Sequence, residues 1–356
     1  MSKIRVVQWS TGGVGRHAIR MIARRPDLGL VGAWVYNPAK IGRDAGELAG
    51  LPALGVAATG SIDDVLALKP DCVSYSSSGE PRPRETVDDY CTFLEAGINI
   101  VTTSVPGLLN PEAFNPKVVR RIEEACARGG TSLYASGLEP GFVGDHLVLV
   151  LATCSDQITS VRTQEIFNYG PYPSAFTIFE LFGFGKPTEE KCLMELPGVQ
   201  TSAWGPPVRL VASRLGVELD SIRETYYKEV TDRELQVAAG TIPAGTVAAV
   251  RFETIGVVDG RDVIVIEHVN RLVGDVAPEW PTADSDGGYR IVIEGEPKMQ
   301  CDLQFGGDET FESFQDSGMR ATAARIVNAI PGTCDAKPGI LNAVDLPLTL
   351  PKNAFA

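Results

Sequence analysis

The stretch "VVQWSTGGVGRHAIRMI", Val6 to Ile22, decides the fold. A short apolar run ends at Trp9, small residues fill positions 10 to 15, and apolar residues then recur at helical spacing. Gly12, Gly13 and Gly15 therefore open a helix directly after a strand, where helix N–H groups and the helix dipole meet a pyrophosphate. The dinucleotide fingerprint G-x-G-x-x-G has Ser10 where its first glycine stands. Ser10 is expected to make the turn at negative φ and to lend its hydroxyl as a donor. Gly12 lets the backbone approach a phosphate, Gly15 lets helix and strand pack closely, and Thr11 and Val14 complete the loop. The alternative is a plain strand-to-helix turn.

Working outward, strands are predicted at Ile4–Trp9, Leu30–Tyr36, Cys72–Ser76, Asn99–Thr103 and Thr131–Ala135. Helices are predicted at Val14–Ala23, Ser61–Leu68 with Ser61 as N-cap, Arg84–Ala96 and Pro116–Arg128. Such alternation gives a Rossmann-type, doubly wound parallel sheet, which binds ligands beyond the carboxyl ends of its strands. The second strand ends in "WVYNPAKIGRD", with Asn37, Lys40 and Arg43 but no carboxylate at its tip. That tip suits a 2′-phosphate, so NADP(H) is favoured and NAD(H) remains open; the alternative makes Lys40 and Arg43 solvated loop charges. Thr102, Thr103, and the segment Ser76–Glu80 including Ser77 end strands at the ligand edge and are expected along the nicotinamide or its ribose.

From about Ser136 the rhythm changes. A helix is expected at Asp145–Thr153, a strand at Ile158–Phe167 and a helix at Ser174–Phe182, which "GFGKP" breaks. Long alternating runs follow, with Asp259-Gly260 as a hairpin turn between two of them. A last helix is expected at Ser317–Ile330. The second domain is therefore α+β with a mostly antiparallel sheet. The expected division is 1–135 for the dinucleotide domain, with 331–356 packing back on it, and 136–330 for a substrate and dimerisation domain.

The 356 residues agree with about two domains. A formal charge of −13 argues against nucleic-acid or anionic-membrane surfaces. The seven cysteines form no C-x-x-C pair and the three histidines lie far apart, so neither a disulfide framework nor a metal site is expected. No run reaches the roughly 18 apolar residues of a membrane span, and "MSKIRVV" enters a strand pattern at once, so a cytoplasmic location is expected.

Together these stretches resemble the 2,4-diaminopentanoate dehydrogenase and native amine dehydrogenase family, whose N-terminal domain is related to dihydrodipicolinate reductase. The first loop is similar to that family's "VVQWGTGNVG", and the resemblance extends to "YNPAKIGRDAGEL", to "GFGKP" at Gly183–Pro187 and to "RIVNAIPGTCDAKPGILNAVDLP". It runs nearly the whole length. It implies a homodimer of two-domain subunits, a nicotinamide cofactor and interconversion of an amine and water with a carbonyl and ammonia, a cleft carboxylate handling protons.

The chain departs from the family where that carboxylate is expected. The family's "T-T-C-E-E" type sequence becomes Thr102-Thr103-Ser104-Val105-Pro106 here. Val105 can neither hold ammonium nor carry a proton. The "HH" signature and lysine of dihydrodipicolinate reductases are also absent. Glu139, in "ASGLEPGFVGDH" where relatives carry asparagine, is the candidate substitute; the alternative is a carboxylate binding loop N–H groups. Glu165 on an alternating strand, Tyr169 with Tyr172 just beyond it, and His146 at a helix start are further catalytic candidates. Solvated, packing and capping roles respectively are their alternatives. His17 is expected on the first helix and His268 as structural. The reading is thus an NAD(P)-dependent oxidoreductase of a small, largely hydrophobic carbonyl, imine or amine. A catalytically silent NAD(P)-binding sensor or interaction protein is the alternative, with "LLNP" and "SAWGPP" as interaction or closure surfaces.

Overall fold

The computed structural model describes residues 2–77, 82–284, 287–306, 311–352 and 354–355, so Ser78, Gly79 and Glu80 of the strand-end segment lie outside the described residues. In chain order the first elements are β1 (Ile4–Trp9), α1 (Gly13–Arg24), β2 (Leu28–Trp34), α2 (Ala45–Leu48), β3 (Ala58–Thr59), α3 (Ile62–Ala67), β4 (Cys72–Tyr75), α4 (Pro83–Glu95), β5 (Asn99–Thr102), α5 (Pro116–Gly129) and β6 (Ser132–Ala135). There follow α6 (His146–Ala152), β7 (Gln157–Asn168), α7 (Val199–Arg214), β8 (Ser221–Val230), β9 (Leu235–Val237), β10 (Gly240–Ile242), β11 (Val247–Val258), β12 (Arg261–Arg271), β13 (Gly287–Glu296) and β14 (Met299–Leu303). The chain closes with α8 (Phe311–Asp335) and β15 (Gly339–Leu341). Two compact units result, one of Met1–Phe142 with Gly318–Ala356, the other of Val143–Ser317.

The first unit is a seven-stranded parallel sheet in the order β15-β6-β5-β4-β1-β2-β3, the doubly wound arrangement with an added edge strand. Alternation along β1 sends Val6 into one layer with Ala18, Ile22, Ile326 and Val327, and Val7 and Trp9 into the other with Tyr90, Phe93 and Ile122. Trp9 stacks on Trp34 at 4.0 Å and 2°, and on Tyr75 at 5.3 Å. Helix ends follow local chemistry. Ser61 caps α3 by accepting from the Asp64 N–H, and Asn115 caps α5, which stops at Gly130 with φ +68°. Residues 339–341 pair with β6 as a strand too short to show periodicity.

In the second unit the six-stranded sheet runs β14-β13-β7-β12-β11-β8, all antiparallel except β7 with β12. Asp259 and Gly260 join β11 to β12 with φ of +50° and +72°, the left-handed pair that a two-residue hairpin requires. One face of this sheet carries an ion network: Arg162 lies 2.6 Å from both Glu253 and Glu267, and Arg251 lies 2.6 Å from Glu267. The opposite face carries Thr163, Glu165, Phe252, His268 and Tyr289, and α7 lays Trp204 against it.

Helix α7 corrects the reading of "SAWGPP" as an interaction surface. Gly205, Pro206 and Pro207 are buried inside its 16 residues. Prolines read as breakers, and a helix buried on several sides shows little amphipathic contrast, so the sequence pattern conceals it. The helix expected at Ser174–Phe182 is a shorter wide turn, Phe176–Leu181.

Candidate active site

The glycine loop is built by collision avoidance. A Cβ on Gly15 would stand 2.1 Å from the Ser10 carbonyl oxygen, and one on Gly13 would stand 2.2 Å from the Met319 sulfur of α8. The loop therefore admits glycine alone at position 15, where α1 meets the backbone after β1, while a side chain at position 13 would require Met319 of α8 to move. Ser10 contradicts expectation: its φ is +80°, and its hydroxyl accepts from the Gly12 N–H at 3.4 Å. The Ser10 N–H still bonds the Trp34 carbonyl at 2.9 Å, so β1 keeps its ladder through Ser10 and the reversal falls on this residue. No acidic residue occupies the first turn of α1, whose N-terminal N–H groups follow Gly12. This donor set, free of carboxylate and close to the backbone, fits a dinucleotide pyrophosphate.

At the end of β2, the Lys40 ammonium donates to the Thr11 hydroxyl at 3.2 Å. Asn37 accepts from the Ala39 N–H at 2.9 Å, turning the chain so that Lys40 faces the loop. The nearest carboxylate in sequence, Asp44, caps α2 by accepting from Gly46, Leu54 and Val56 N–H groups at 2.7, 2.9 and 3.0 Å. The ring of Tyr36 is 76% exposed, with the Arg82 guanidinium 5.9 Å from its centre. This pairing of Tyr36 with Arg82 is one that the glycine pattern alone did not signal.

At the carboxyl ends of β5 and β6 lies a cavity of about 150 Å³, lined among others by Thr103, Val105, Leu109, Glu139 and Thr322. Both Glu139 carboxylate oxygens are buried. Val105, the place where the family resemblance puts a glutamate, and Glu139 thus border one space. Of the other strand-end residues, Thr102 shares its hydroxyl with Tyr90 at 2.6 Å and accepts from the Ser104 N–H at 3.0 Å. The Ser76 hydroxyl accepts from Gln8 at 2.8 Å, and the Ser77 carbonyl accepts from the Ser104 hydroxyl. These hydroxyls brace the strand ends from within. His17 is buried on α1.

Glu139 falls in the first compact unit, whereas His146, Glu165 and Tyr169 fall in the second. His146 begins α6 and donates its backbone N–H to the Asp145 carboxylate. Glu165 lies between Tyr169, whose hydroxyl is 3.4 Å away, and the Tyr289 hydroxyl. Burial pushes its carboxyl up to about 7 against the opposing pull of both phenols. His268 packs parallel to Phe252 at 4.5 Å and against Trp204 at 4.4 Å, with Nε2 4.0 Å from Glu165. Burial holds its imidazole down at about 3, hence neutral. The strand pattern places Glu165 on β7, but its surroundings come from β12, β13 and α7 and are invisible in local sequence. Among the described residues no group of three or more His, Cys, Asp or Glu side chains is placed to hold a metal, and all seven cysteines are free. No helix among the described residues is long and apolar enough to cross a membrane.

Comparison with known proteins finds relatives over nearly the whole chain. Residues 142–354 match the model of the 2,4-diaminopentanoate dehydrogenase C-terminal domain. An amine dehydrogenase of Streptomyces virginiae is 39% identical over 349 residues, covering 97% of this chain and 96% of its own. A 2,4-diaminopentanoate dehydrogenase of Acetoanaerobium sticklandii is 24% identical over 98% of this chain and 94% of its own. The solved structure of an amine dehydrogenase from Mycobacterium smegmatis superposes with a TM-score of 0.73 at 22% identity, covering 98% of this chain and 97% of that one.

Proposed function

The chain belongs to the 2,4-diaminopentanoate dehydrogenase family, and from that premise we propose that it is an NAD(P)-dependent oxidoreductase interconverting a small, largely hydrophobic amine with its carbonyl or imine. The observation that carries this reading is the shared cavity of Val105 and Glu139. The carboxylate missing from one strand-end loop is supplied by the neighbouring one, at the edge where such sheets bind their ligands.

The glycine loop would hold the pyrophosphate of a nicotinamide dinucleotide, which would supply or accept a hydride when bound. The chain's own residues divide the remaining work. The first-turn N–H groups of α1 hold the pyrophosphate, and Lys40 with Tyr36 and Arg82 receives the adenosine end. The absence of an uncommitted carboxylate there supports NADP(H) over NAD(H), since Asp44 is occupied in capping α2. Glu139 carries the proton to or from the amine nitrogen or the hydrating water, while Val105 and Leu109 keep bulk water out.

The test is turnover. NADP⁺ reduction over a panel of primary amines, and NADPH oxidation with ketones plus ammonia, should reveal activity on uncharged aliphatic substrates. Cofactor binding with no turnover across both panels would replace this reading with the silent sensor. We expect a homodimer, which sedimentation of the purified protein would show.

A further inference from the structure

Two thiols of the first unit meet at a place that the oxidoreductase reading leaves unused. Cys72, the first residue of β4, is fully buried in the layer that the sheet forms with α1 and α8. Cys334, one residue from the end of α8, packs against the same cluster and is only partly buried. Its thiol donates at 4.0 Å to the carbonyl of Asp71, on the peptide that leads into Cys72. The Cys72 and Cys334 thiols are also hydrogen-bonded to each other. Sulfurs within hydrogen-bond reach are those from which a disulfide closes with least movement, and a helix end yields to such a movement more readily than its middle. Cys91 and Cys126 share the opposite layer, but Cys91 donates instead to the Arg121 carbonyl at 3.8 Å.

The two sulfurs are not equivalent. Burial first, and then the hydrogen bond with Cys334, push the Cys72 thiol well up, so Cys72 keeps its proton and is closed to reagents from solvent. Cys334 has the access that Cys72 lacks. An oxidant small enough to enter beside the end of α8 therefore meets Cys334 first, and Cys72 acts afterwards, through proximity alone.

We propose that Cys334 and Cys72 are a peroxide-responsive thiol pair, which closes to a reversible disulfide and staples the end of α8 to β4. The Cys334 sulfur attacks one oxygen of hydrogen peroxide. The O–O bond breaks, one hydroxyl stays on sulfur as a sulfenic acid, and the other leaves as water with the thiol proton. The Cys72 sulfur then attacks the Cys334 sulfur. The S–O bond breaks, and the hydroxyl leaves as water with the Cys72 proton. Two thiols are oxidised to one disulfide, and one peroxide is reduced to two waters. The first unit is assembled from two stretches of chain, Met1–Phe142 and Gly318–Ala356, and the new bond joins one to the other. The loop it closes takes in the whole second unit, and closing a long loop restricts the unfolded chain strongly. Oxidation therefore holds the returning C-terminal stretch in place, and a dithiol reductant releases it.

Treatment of the purified full chain with hydrogen peroxide, then blocking of free thiols, proteolysis and mass spectrometry, reads the linkage. A peptide pair joined through Cys72 and Cys334 is expected, and dithiothreitol should separate it. The thermal midpoint of the oxidised protein should rise by about 5 °C or more and return on reduction. Cys334→Ser should show neither the linkage nor the rise, and Cys72→Ala should leave Cys334 as a sulfenic acid that dimedone traps. Wild-type protein in which no 72–334 linkage forms overturns the proposal whether or not the variants fold. That holds if Cys334 stays a thiol, proceeds to a sulfinic acid or pairs with another cysteine. A linkage that leaves the midpoint unmoved, or a rise of equal size in Cys334→Ser, overturns the stapling role as well.

Discussion

Lys40 donates a hydrogen bond to the Thr11 hydroxyl across 3.2 Å, which draws the cation after the second strand onto the glycine loop. An ammonium in that place is worth most to a ligand that brings a further phosphate. Lys40→Ala should weaken NADPH binding about tenfold, on the order of 1.4 kcal/mol, and leave NADH binding nearly unchanged. Fluorescence titration with the two nucleotides checks this. Equal losses for both would place Lys40 at the shared pyrophosphate instead.

Ser10 occupies a left-handed conformation that glycine adopts without penalty. Ser10→Gly should stabilise the protein by about 1 kcal/mol, seen as a raised thermal midpoint, with NADPH binding retained. Gly15→Ala should act oppositely, because its methyl carbon would stand 2.1 Å from the Ser10 carbonyl oxygen. A loss of about 2 kcal/mol or more and of cofactor binding is expected.

Glu139→Gln keeps the shape of the cavity wall and removes the proton carrier. The turnover number should fall about a hundredfold or more while the dissociation constant for NADPH stays put. Turnover equal to wild type would relieve Glu139 of any chemical role.

The Glu165–His268 pair sets two opposing pH slopes. Glu165 has its folded pKa raised from 4.5 to about 7, so the folded state holds a proton that the unfolded state has released, and stability falls as pH rises from 4.5 to 7. His268 has its folded pKa lowered from 6.5 to about 3, so the unfolded state binds the extra proton, and stability rises with pH over that interval. Between 4.5 and 6.5 the two contributions oppose each other. Denaturant unfolding of Glu165→Gln should show stability climbing from pH 3 to 6.5, and His268→Phe should show it falling from 4.5 to 7. Wild-type-like profiles in both variants would mean that neither group titrates differently on folding.

Local chemistry made much of the fold legible. The glycines after Trp9, the Ser61 cap and the Asp259-Gly260 turn each specify their element through nearest neighbours, and the strand rhythm specifies the parallel sheet. What escaped depends on distant partners. Helix α7 hides behind Pro206-Pro207, and β15 has three residues and exists through its pairing with β6. Ser10 takes positive φ because Trp34 and Gly15 hold both its sides. Glu139 could be singled out from its loop, but the environment of Glu165 requires three strands and a helix to meet.

The return of residues 339–341 to β6 has a consequence for synthesis of the protein. Until that segment leaves the ribosome, β6 is an open edge, and until Met319 arrives the glycine loop lacks the side chain packed against Gly13. The whole second unit is translated in the interval. The nascent first unit therefore waits with an unpaired strand exposed, a state that invites edge-to-edge association and chaperone capture.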